Sequence, residues 1–129
     1  VQSLVTFLSR VFTLAQFSPE TYVLALVYMN RVIAATGWPL RRSNWRLLLL
    51  TTVMLAQKVW DDKSLSNIDF PVIWRRTNPR ARPARSSFGI KDMNRLERRV
   101  LELLSYSVTV GSSLYTKYYF ELRAMAAES

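Results

Sequence analysis

A run of ten residues, LLLLTTVMLA at 47–56, constrains this chain more than any other feature. Nothing in it is more polar than two threonines. It is too short to cross a bilayer, which needs about 20 apolar residues, so it must be buried in protein. With its flanks it reads as a helix over 44–60, apolar on every side. Such a helix has to be surrounded by others, and the expected architecture is a bundle packed around it. The run ends in Gln57, Lys58, Val59, Trp60 and two adjacent aspartates, Asp61 and Asp62. Acids just past a helix C-terminus are disfavoured by its dipole, so something must compensate them.

The remaining segments supply the surrounding helices. Residues 1–15 place Leu4, Val5, Phe7, Leu8, Val11, Phe12 and Ala15 at helical spacing. Ser18, Pro19 and Glu20 form a helix start, with serine as N-cap, proline in the first turn and an acid near the positive end. That helix stops at Gly37, the residue best able to take a left-handed C-terminal conformation. Ser43 caps the central helix. A short segment over 67–74 follows, then residues 75–89, which hold five arginines, two prolines and no acid and read as a loop. A helix over 90–106 puts Met93, Leu96, Val100, Leu101 and Leu104 on one face. The last helix starts at 111–113, with Leu114, Tyr118, Leu122 and Met125 in line. No strand alternation competes, and the chain is all-α, with five or six helices in a single domain over 1–129.

Composition narrows the chemistry. The 129 residues include no cysteine and no histidine, and only three glycines, none of them close together. Disulfides, thiolate metal sites, the commonest general base and a phosphate-cradling loop are all excluded. An enzyme has little to work with, and no cofactor is implied. An intracellular compartment suits a chain without cysteine. The first residue is Val1, which reads as a piece of a longer chain. The net charge of +9 points to an acidic partner, a nucleic acid or an anionic membrane surface.

Three blocks carry a family resemblance: SNWRLLLLTTVMLAQKVWDDKSLSNIDF at 43–70, KDMNRLERRVLELLSYSV at 91–108 and SSLYTKYYFELR at 112–123. In this order and spacing the chain resembles a cyclin box, a five-helix bundle around a central helix, here with a further C-terminal helix. Within that family it is most similar to the cyclin Y branch, near the Pho/Pcl-type cyclins. The resemblance implies a regulatory subunit without a catalytic site. It would bind a cyclin-dependent kinase of the PFTAIRE/PCTAIRE-like or Pho/Pcl-partner class and press the kinase's αC helix into its active position. The lysine and glutamate with which such cyclins reach their kinase fall on Lys58 and Glu97. Leu55, Val59, Leu101, Leu104 and Tyr106 would line the groove between them. From the residues alone, Lys58 reads first as a last-turn lysine favoured by the macrodipole, and Glu97 as ordinary helix-surface charge; the resemblance reverses that order. For Asp61 and Asp62, one reading is contact with kinase arginines in place of an activation-loop phosphate. The other is local: pairing with Lys63, or capping the next short helix.

The chain also departs from the resembled pattern. Its first helix, LVTFLSRVF, lacks the M-R-A-I-L-type motif for R-x-L substrates, so that docking site is not expected. The basic segment WRRTNPRARPARSSFGI is longer and more positive than its counterpart. It could be a solvated insertion, a phosphorylation site at Ser86 and Ser87 behind Arg82 and Arg85, or a contact for an anionic membrane surface or nucleic acid. Gly89 stands where the next helix would open with threonine or serine, with Asp92 in its first turn. The alternative functional class is a cyclin-fold module of the TFIIB type that binds nucleic acid or transcription machinery. Against nucleic acid, five of the eighteen basic residues crowd one proline-rich loop, and the aromatics at 115, 118, 119 and 120 sit at helical core spacing.

Overall fold

Six α-helices and one short 3₁₀ turn make up the described part of the chain, residues 2–37, 45–61, 64–77 and 89–128 of a computed structural model. In order they are α1 (Gln2–Ala15), α2 (Pro19–Thr36), α3 (Trp45–Trp60), the 3₁₀ turn (Asn67–Asp69), α4 (Phe70–Thr77), α5 (Ile90–Leu103) and α6 (Ser112–Glu128). There is no strand among the described residues. The all-α expectation holds.

The apolar run is buried as its composition demands: every residue of α3 from 49 to 57 is buried. Its two threonines satisfy themselves locally, Thr51 Oγ1 donating to the Leu47 carbonyl at 2.7 Å and Thr52 Oγ1 to that of Leu49 at 2.8 Å. The expectation of one central helix needs a correction, because α2 is buried just as continuously, from 21 to 29. The two helices pack against each other along their length and together form the centre of the bundle. From α1 come Phe7, Leu8 and Val11, from α4 Phe70, Ile73 and Trp74, and from α5 Met93 and Val100. Phe12, placed on the inner face by its spacing, is instead about half exposed.

Several ends fall where the sequence puts them. Pro19 opens α2, and Gly37 closes it at φ +67°, its N–H donating to the Ile33 carbonyl at 2.9 Å. The Ser18 hydroxyl makes no capping bond; it is drawn elsewhere, as described below. Gly89 opens α5, and Asp92 Oδ2 accepts the Gly89 N–H at 2.8 Å. Ser43 lies outside the described residues.

Two boundaries differ from the sequence reading. The basic loop does not begin at 75: Arg75, Arg76 and Thr77 form the last turn of α4, and Thr77 is buried. Two cations in the last turn suit the dipole, and Phe70, Ile73, Trp74 and Thr77 present one buried face at helical spacing. The helix expected over 90–106 stops at Leu103. The exit is a Schellman-type closure, with the Ser105 N–H donating to the Glu102 carbonyl and the Tyr106 N–H to that of Leu101, both at 2.9 Å. Ser105 and Tyr106 take φ +53° and +59°, a region that costs ordinary residues energy. The segment beyond is held by α2: Tyr28 Oη donates to the Val108 carbonyl at 2.6 Å and Arg31 Nη1 to that of Thr109 at 3.1 Å.

Candidate functional site

Lys58 and Glu97 meet. Lys58 stands in the last exposed turn of α3, one residue past the buried run, and Glu97 lies in the middle of α5, which packs against α3. Lys58 Nζ donates to Glu97 Oε2 at 2.6 Å, with 34% of the lysine side chain and 18% of the glutamate side chain exposed. The second glutamate oxygen, Oε1, accepts from Asn67 Nδ2 at 3.1 Å. The same Asn67 amide donates to Asn94 Oδ1 at 2.7 Å, one turn before Glu97 on α5. Both carboxylate oxygens are thereby engaged, and Glu97 is oriented by α3 on one side and the 3₁₀ turn on the other.

A residue that the sequence reading did not assign sets this geometry. Gln57 is fully buried next to Lys58, and its amide holds the backbone of Leu65 from both directions. Leu65 N–H donates to Gln57 Oε1 at 2.8 Å, and Gln57 Nε2 donates to the Leu65 carbonyl at 2.9 Å. Gln57 Nε2 also reaches the Met54 carbonyl at 3.1 Å. A buried amide satisfied on both ends is a strong positional device, because any displacement leaves polar groups unpaired at about 1–3 kcal/mol each. It ties the α3–α4 connection down two residues before Asn67. The only sequence signal was a lone polar residue ending a ten-residue apolar run.

The apolar residues expected around the pair divide into two groups. Leu55 and Leu104 belong to the core, each 6% exposed. Val59 and Tyr106 present real surface, at 45% and 66%, and Leu101 is half-buried. The positive φ of Tyr106 turns the chain at this point. Trp60, half exposed, lies beside Val59 and stacks on Tyr115 of α6, centroid to centroid 6.5 Å, with Tyr119 a further 6.4 Å along. Contrary to their core spacing, the α6 aromatics are not interior: Tyr115 and Tyr119 are half-buried and Phe120 is exposed.

Asp61 has its compensation inside the chain. Its Oδ1 accepts from Ser18 Oγ at 2.7 Å across 43 residues, and Ser18 Oγ is also 3.0 Å from Thr21 Oγ1. The carboxylate disfavoured by the end of α3 sits at the start of α2, where a helix favours negative charge. Capping of the following short helix is not the role of Asp61: the 3₁₀ turn is capped by Ser66 and Asp69, the Ser66 N–H donating to Asp69 Oδ2 at 3.1 Å. Asp62, Lys63, Ser86 and Ser87 lie outside the described residues.

Close by, the buried Tyr22 hydroxyl has no hydrogen-bond partner. Burial pushes its pKa well above the ordinary tyrosine value; the Phe17 backbone pulls the other way without closing a hydrogen bond, and Asp61 adds to the rise. Tyr28 is raised by burial too, with Arg31 opposing.

No helix among the described residues is long and apolar enough to cross a membrane. The family model of the cyclin N-terminal domain matches residues 2–109. No solved structure matches the chain. That family match spans α1 through α5 and includes both members of the Lys58–Glu97 pair, and the chain belongs to the cyclin family.

Proposed function

We propose that this cyclin binds a cyclin-dependent kinase through the surface around Lys58 and Glu97 and holds the kinase's αC helix in its active position. Cyclins in general regulate and do not catalyse. The observation that carries the reading is the meeting of Lys58 and Glu97 at 2.6 Å, at the edge of a surface where Val59, Leu101 and Tyr106 offer apolar area. A cation and an anion side by side can cap a docked helix or loop, the ammonium taking carbonyls and the carboxylate taking amides. The apolar patch can seat an anchor side chain. Leu55 and Leu104 support that patch from beneath.

The partner class follows from the resemblance of 43–70, 91–108 and 112–123 to the cyclin Y and Pho/Pcl-type branch: a PFTAIRE/PCTAIRE-like kinase or the partner of a Pho/Pcl cyclin. Asp61 and Asp62 belong to the reading as negative counterparts for kinase arginines. Asp61 serves the fold at the same time, through Ser18.

The test is reconstitution with purified kinases of these classes, scored for binding and for phosphoryl transfer. Lys58→Ala plus Glu97→Ala is expected to abolish activation. Truncating a partner in a desolvated charged contact costs about 2–5 kcal/mol, or roughly 30-fold in affinity and upward. A double variant that binds and activates normally sinks the assignment of the site.

A further inference from the structure

The charge of this chain is concentrated. Residues 75–99 hold nine of the eighteen cations and two of the nine acids, so they contribute +7 of the net +9. Among the described residues this charge is presented by the end of α4 and the outer face of α5, which pack together. Arg76, Lys91, Arg95, Arg98 and Arg99 are all exposed. The acids of α5 are already engaged: Glu97 with Lys58, Asp92 with the Gly89 N–H, Glu102 with Arg99 at 3.3 Å. Asp92 reaches Arg95 only at 3.9 Å, and 76% of the Arg95 side chain remains exposed. Lys91 and Arg98 form no ion pair with a described residue. This face therefore carries an excess of cations that the fold does not use.

We propose that the outer face of α5 docks an acidic segment of another polypeptide in extended conformation. Lys91, Arg95 and Arg98 stand on successive turns, and neighbours at this spacing have Cβ atoms about 5–6 Å apart. An extended chain rises about 3.4 Å per residue and turns every second side chain to the same side, so acids at alternate positions recur every 6.8 Å or so. The two repeats come close enough for long arginine and lysine side chains to absorb the difference. A nucleic-acid strand would be served by aromatic platforms beside the cations. The one aromatic residue of α4 below its first turn, Trp74, is 2% exposed, and α5 has none. The face is also separate from the Lys58–Glu97 surface, because Glu97 points to α3 and the cations point outward. The proposal concerns binding by this chain and does not rest on the kinase reading.

The experiment is fluorescence anisotropy on the whole chain with a labelled dodecapeptide alternating glutamate and serine. A glutamine–serine peptide, phosphatidylserine vesicles and a single-stranded oligonucleotide serve as rival ligands. The glutamate peptide is expected to bind, more weakly as salt rises from about 50 to 150 mM, since exposed charges are screened over roughly 10 Å at these concentrations. Arg95→Gln plus Arg98→Gln should weaken it about fivefold, two exposed ion pairs being removed. The same loss of charge at Arg10→Gln plus Lys117→Gln, on α1 and α6, should change affinity less than twofold. Circular dichroism is taken on both variants, and Lys91→Glu gives a second reading should the α5 pair melt early. The idea is overturned if the glutamate peptide does not bind at low salt, if the glutamine peptide binds equally, or if both double variants lose affinity alike. It is equally overturned if vesicles or the oligonucleotide bind more tightly than the peptide and depend on the same arginines.

Discussion

Lys58 Nζ lies 2.6 Å from Glu97 Oε2, although 39 residues separate them and they stand on different helices. In the free domain the pair is partly open to water, and exposed ion pairs contribute about 0–1 kcal/mol. A double-mutant cycle on thermal or urea unfolding of Lys58→Ala, Glu97→Ala and the double variant should give a coupling of no more than about 1 kcal/mol, shrinking with salt. The contrast with a much larger loss of kinase affinity is the signature of a docking pair. A coupling of several kcal/mol in the free domain would make the pair a structural element of the bundle.

Asp61→Asn should destabilise the free domain. The sequence alone suggests the reverse, because the end of α3 repels a carboxylate. The bond from Ser18 and the start of α2 outweigh that penalty: a hydrogen bond to a charged group contributes about 1.5–3 kcal/mol, and a favourable helix end about 0.3–1 kcal/mol. A net loss of about 1 kcal/mol by urea unfolding is expected, with Ser18→Ala giving a similar and non-additive loss. An Asp61→Asn variant as stable as the parent or more so would return this residue to a purely external role.

Ser105→Gly should stabilise the protein. Ser105 occupies the left-handed position that closes a Schellman turn, and its φ of +53° suits glycine. Relief of about 1 kcal/mol is expected, partly offset by the greater freedom of glycine in the unfolded chain. Differential scanning calorimetry should show a rise of a few degrees. A fall in Tm would mean that the serine side chain is needed for the turn.

Tyr22→Phe removes a buried hydroxyl that has no partner. At neutral pH the variant should be as stable as the parent or up to about 1 kcal/mol more so. The pH dependence follows from linkage. The folded-state pKa of Tyr22 is raised above the unfolded value of about 10, so the unfolded chain releases its proton first as the solution becomes alkaline. Stability is then fully present below about pH 10 and falls above it, by up to about 1.4 kcal/mol per pH unit for this group. Tyr28 acts in the same direction. Urea unfolding between pH 9 and about 11 should show a shallower decline for Tyr22→Phe. Identical slopes for parent and variant would show that Tyr22 does not titrate differently in the two states.

The sequence by itself determined most of the helices and the burial of the 47–56 run. A run such as 47–56 has no polar face to offer water, so it must form the centre, and proline at 19 and glycine at 37 set the ends of α2 through backbone sterics that act locally. Lys58 and Glu97 were legible as candidate site residues only through the family pattern, since a last-turn lysine and a surface glutamate are ordinary in isolation. What only the tertiary structure decided are the pairings between distant elements. The partner of Asp61 is Ser18, the partner of Gln57 is the Leu65 backbone, and the segment after α5 is held by Tyr28 and Arg31. Local rules predict a helix through Tyr106 because no glycine or proline marks a stop; the chain turns out at Ser105 and Tyr106 with positive φ, and α2 holds the segment beyond through Val108 and Thr109. Such contacts close loops of between 8 and 80 residues, and their free energy depends on a geometry that exists only once the bundle has packed.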